Sequence, residues 1–339
     1  MSHANNPVNF FRLMVKLAAL LLLCAGLKLN AQELAVLGGV LPKTNAERST
    51  YTWQVDYRQD FYRNLAASIA YINEGHLREH HRDGTAWEVW GRLPLAENRI
   101  SLSVGLGAYY YFDTRPMPGG DTANVHGTAP IFSLAATGYI ADRWFYRFNY
   151  NRIAPSGQIQ VNTLSAGLGF WFGQDRKPTP GKLGDEPGEK AYVSENEVTF
   201  YGGQSVVNTI LNPKSLACAA EYRRGVMPHL DWTASAIYEG DPKIVRRSGA
   251  ATQLWAVNTF FDDRITVGAG VGPYFYLDKR HPAGTGKLNP AAVAPLASLT
   301  FSVRLAGNWI MRCVFDRVMS NYNRDSDIFL LGLGYRWGA

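Results

Sequence analysis

Residues 99–111 read RISLSVGLGAYYY, and this stretch decides the fold. Ile100, Leu102, Val104, Leu106, Ala108 and Tyr110 share one parity; Ser101, Ser103, Gly105, Gly107 and Tyr109 share the other. A period of two with one apolar and one small or polar face is the pattern of a β-strand. At roughly ten or more residues the segment exceeds the usual globular strand of about 5–6 residues and suits a tilted bilayer crossing.

The stretch returns 165 positions later, with Ile265, Val267, Ala269 and Val271 alternating against Thr266, Gly268, Gly270 and Gly272. Residues 33–173 as a whole align with this second copy without a gap. Tyr57-Arg58 recurs as Tyr222-Arg223, Glu74-Gly75 as Glu239-Gly240, Trp144 as Trp309, and Gly167-Leu168-Gly169 as Gly332-Leu333-Gly334. A fixed period of this length makes the chain two copies of one folding unit.

Within the first copy, seven more alternating segments centre on residues 33–40, 51–58, 65–72, 86–95, 131–140, 144–152 and 161–172. Their connectors alternate in length. Residues 59–64, 96–98 and 141–143 are short turns, whereas 42–50, 73–85, 112–130 and 153–160 are expected to be long loops. Short turns on one side and long loops on the other, with an even strand count, is the pattern of an outer-membrane barrel. The tyrosine clusters 109–112 and 274–276 fit aromatic girdles at the membrane interfaces.

Composition agrees with a barrel rather than a helical membrane protein. Of 339 residues 46% are hydrophobic and 18% charged, yet past residue 31 no apolar run is long enough for a helical span. The first 31 residues, with Arg12 and Lys16 ahead of the apolar run 17–27 and Ala31 at its end, read as a secretory signal. A lipoprotein signal on Cys24 is disfavoured by Leu23, which stands where a small residue is wanted. The remaining cysteines, Cys218 and Cys313, do not correspond between copies and face outward, so they read as small hydrophobes in the wall. The net charge of +6 comes with no nucleic-acid motif; basic rims facing anionic lipid, lipopolysaccharide included, are the expected partners, with no nucleic acid and no cofactor.

The organisation expected is therefore all-β: signal peptide 1–31, first up-and-down antiparallel transmembrane barrel 32–173, a Pro/Gly-rich periplasmic linker 174–192, and a second barrel 193–339. One sixteen-stranded barrel is the alternative, and it alone would leave room for a solute channel. Inward parity places Asp56, Arg58 and Arg147 in the first copy, and Glu221, Arg223 and Arg312 in the second, as an interior ion network, with Trp90 and Trp255 beside them.

Candidate chemistry lies in two places. Residues 73–84 of the first copy, NEGHLREHHRDG, hold His76, His80, His81 and Asp83, which could act as acid and base or ligate a metal. The second copy has Asp241, Val245, Arg246 and Ser248 there, so a solvated loop with a Glu-Gly turn is the simpler expectation, and no resident metal is expected. Both copies end in Gly, two residues, aromatic, one residue, aromatic, as in Gly167 to Phe172 and Gly332 to Trp337. This ending resembles the strand by which the barrel-assembly machinery recognises outer-membrane barrels.

An exported unit of about 140 residues with eight strands and a Gly-Leu-Gly-aromatic ending resembles the lipid A deacylase and acyloxyacyl hydrolase barrels of Gram-negative outer membranes. The resemblance implies a His-x-Ser pair near the outer end of the seventh strand and an acid that orients the histidine. Here the stretch reads Arg317-Val318-Met319-Ser320-Asn321 with Asp325 and Asp327 after it, so Ser320 matches a nucleophile while Val318 replaces the histidine. The expectation is a non-catalytic outer-membrane barrel that anchors, scaffolds or binds through its loops; an envelope-lipid esterase is the alternative, with Ser320, His76, His80 and His81 as its candidate catalytic residues.

Overall fold

A computed structural model describes residues 31–42, 49–62, 64–77, 80–117, 122–141, 143–155, 160–172, 193, 195–209, 211–242, 244–261, 263–280, 293–320 and 323–338. The signal and linker segments lie outside the described residues, as do the side chains of His76 and His80. The described regular structure is all strand, and no helix among these residues is long and apolar enough to cross a membrane.

The first eight strands are β1 Ala31–Leu41, β2 Thr50–Tyr62, β3 Leu65–Leu77, β4 His80–Leu95, β5 Ile100–Pro116, β6 Thr122–Ala141, β7 Trp144–Ile153 and β8 Val161–Trp171. The other eight are β9 Asn196–Val207, β10 Lys214–Met227, β11 Leu230–Tyr238, β12 Arg246–Phe260, β13 Ile265–Arg280, β14 Val293–Arg304, β15 Trp309–Val318 and β16 Ser326–Trp337. Neighbours pair antiparallel in sequence order. β8 closes onto β1 through pairs such as Ala35 with Gly169, and β16 closes onto β9 through pairs such as Gly332 with Tyr201. The chain thus forms two separate closed eight-stranded barrels. The single sixteen-stranded ring is ruled out, and with it the channel that such a ring would enclose.

The strands of both barrels turn apolar side chains outward and polar ones inward, the inverse of a water-soluble protein. On β5, Leu106 is 63% exposed while Ser101 is fully buried. Exposed Tyr51, Trp53, Trp144, Tyr146, Trp232, Trp309, Tyr335 and Trp337 supply aromatic rims. The tyrosine clusters contribute less to these rims than the sequence suggests, because Tyr109, Tyr111 and Tyr274 are on the inward parity and buried in the lumen. Cys218 and Cys313 are exposed on the outer wall and form no disulfide.

Two expected loops are strand instead. β3 and β4 pair as far as Leu77 with His80, and β5 and β6 as far as Pro116 with Thr122. These hairpins carry the ladder past the apolar belt, where alternation in hydropathy stops while backbone pairing continues. The ungapped repeat also fails at its first strand. Gly39 and Gly203 are structural equivalents, since a Cβ on either would fall 1.9 Å from the carbonyl oxygen of Leu164 or Phe329 on the closing strand. From β2 onward equivalents lie 165 positions apart; between β1 and β9 they lie 164 apart, as Glu33 facing Arg58 and Glu197 facing Arg223 require.

Candidate functional site

Each lumen carries a buried ion network near the end bearing the short turns. In the first barrel Glu33 on β1 is its centre. Arg92 of β4 reaches Glu33 at 2.6 Å and Asp60 at 2.5 Å, and Arg147 of β7 donates to Glu33 and, at 2.6 Å, to Asp56. The Tyr139 hydroxyl donates to Glu33 at 2.7 Å and accepts from Arg92 at 2.7 Å. Strands β1, β2, β4, β6 and β7 are thereby tied across the lumen. Arg58 lies over the Trp90 ring at 3.7 Å, and the Trp90 indole N–H donates to Ser68 at 2.8 Å.

The second barrel repeats this plan with altered wiring. Glu197 accepts from Arg312 at 2.8 Å and from Arg336 at 3.0 Å, and Arg336 also reaches Asp263 at 3.0 Å. Arg223 pairs with Glu221 at 3.1 Å and Asp231 at 3.3 Å and covers Trp255 at 4.4 Å, while Trp255 donates to Thr233 at 2.9 Å. Sequence parity placed Asp56, Arg58, Arg147, Glu221, Arg223 and Arg312 in these lumens, but missed Glu33 and Glu197, the hubs. An ungapped repeat sets Glu33 against outward Val198 and Glu197 against Gln32; only the one-residue shift on the first strand aligns the two glutamates.

At the opposite end, each barrel keeps a second buried ion pair. Arg82 donates to Glu74 at 2.7 Å in the first, and Arg247 to Glu239 at 3.3 Å in the second. These glutamates are buried and not on the solvated turn that the sequence pattern predicts. Gly75 (φ +69°) and Gly240 (φ +82°) adopt a left-handed backbone, next to glutamates that point inward. In the second barrel the pair extends further: Ser326 donates to Glu239 at 2.5 Å, and Arg247 donates to the Arg324 carbonyl at 2.7 Å.

Of the four candidate ligands in the histidine-rich segment, His81 and Asp83 have described side chains. Nε2 of His81 lies 3.6 Å from Asp83, and its Nδ1 is 2.8 Å from the Gly75 carbonyl oxygen. His76 faces His81 across the hairpin, and His80 faces Leu77, in backbone register. Among the described residues no group of three or more His, Cys, Asp or Glu is arranged to hold a metal.

Ser320 sits past the end of β15, buried. Its hydroxyl donates to Asp325 at 3.0 Å and accepts from the Arg324 amide at 2.8 Å, and its own amide donates to Asp325 at 2.7 Å. This closes the loop between β15 and β16, with the hydroxyl held by a carboxylate rather than by an imidazole. Asp327 is committed to Arg317 at 3.1 Å.

No protein-family model matches the chain, and no curated protein matches it. Among solved structures, the N-terminal β-barrel domain of Pseudomonas aeruginosa OprF is similar at 12% identity, over 42% of this chain and 98% of that one, with a TM-score of 0.35. Neisserial surface protein A (NspA) is similar at 9% identity, over 41% and 96% respectively, with a TM-score of 0.34. A Pseudomonas aeruginosa FadL homologue aligns over 91% of this chain and 90% of its own, at 12% identity and a TM-score of 0.25.

Proposed function

We propose that this chain is a non-catalytic outer-membrane protein of a Gram-negative cell envelope, in which two sealed barrels anchor the chain and present its loops for binding. The observation that carries this reading is that charged side chains cross both lumens from wall to wall, with Glu33 and Glu197 at their hubs. An eight-stranded barrel has room for little beyond its own side chains, so such a network stops it as a solute path. The outward apolar face and aromatic rims support residence in a bilayer. The short turns and the linker would then face the periplasm and the long hairpins the exterior, where basic residues such as Arg115, Arg152 and Arg246 meet lipopolysaccharide. The barrel-assembly machinery is the partner during insertion.

Reconstituted in planar bilayers, the protein is expected to give no steady conductance; reproducible nanosiemens-scale steps would sink the proposal. The esterase alternative needs a base at Ser320, where the partners are Asp325 and a backbone amide. Expression in a host lacking the protein should leave the lipid A acyl pattern unchanged by mass spectrometry. Ser320→Ala should instead lower the stability of the second barrel by about 1 kcal/mol, the usual worth of a hydrogen bond. A lipid A chain lost with wild type and kept with Ser320→Ala would establish the esterase.

A further inference from the structure

We draw no further inference here: the strongest candidate, the outward-facing panel of small residues Cys218, Ala220, Ala234 and Ala236 on β10 and β11, where the first barrel carries Trp53, Val55, Ile69 and Tyr71, is a surface patch for which nothing in the structure shows what covers it.

Discussion

Replacing Arg147 by methionine is expected to cost the first barrel about 3–5 kcal/mol, the usual penalty for removing one member of a buried ion pair. The loss is large because Arg147 serves two carboxylates, Glu33 and Asp56, both buried. Methionine fills a similar volume and supplies no charge, which leaves Glu33 to Arg92 and the Tyr139 hydroxyl, and Asp56 to Arg58 at 3.6 Å. The check is urea unfolding in detergent micelles, read separately for each barrel by tryptophan reporters. Arg147→Met should move only the first transition and Arg312→Met only the second. A shift under about 1 kcal/mol in both cases would mean that the networks are dispensable surface-type pairs.

Trp255→Ala should destabilise the second barrel by about 3–5 kcal/mol, the range for removing a large aromatic from a packed core. Trp255 is fully buried, donates to Thr233, supports Arg223, and faces Gly270, where an added Cβ would fall 2.4 Å from the indole. That close approach makes Gly270→Leu harmful in the wild-type background through overpacking, by about 1–3 kcal/mol. Combined, the two changes should be less costly than their sum, because leucine enters the space the indole leaves. A strictly additive double-mutant cycle would mean that residues 255 and 270 do not share that space.

The barrel type was legible in the alternation of residues 99–111, and the positions of Trp90, Arg147 and their counterparts followed from parity alone. Parity is robust because a strand that slips by one residue turns its whole polar face to lipid. The hubs of the ion networks were not legible. Glu33 and Glu197 become equivalent only when the first strand is shifted by one place, and an alignment dominated by seven correct strands hides a shift in the eighth. The Glu74–Arg82 pair was hidden for another reason: outside the apolar belt, inward and outward residues are both polar, so hydropathy no longer tells strand from loop. The Arg223–Asp231 pair needed the three-dimensional pairing, since nothing in the sequence marks Asp231 as the neighbour of an arginine eight positions away.

The one-residue shift also dictates how the two halves could be recombined. Hairpins exchanged between β2–β8 and β10–β16 at positions 165 apart stay in phase, so every lumen residue lands in a lumen. A crossover placed inside β1 and β9 at that same spacing would turn Glu33 or Glu197 towards the lipid. Chimeras cut at the loop after the first strand, carrying that strand intact, should therefore assemble, whereas those spliced within it at the uniform spacing should be lost to proteolysis before they reach the membrane.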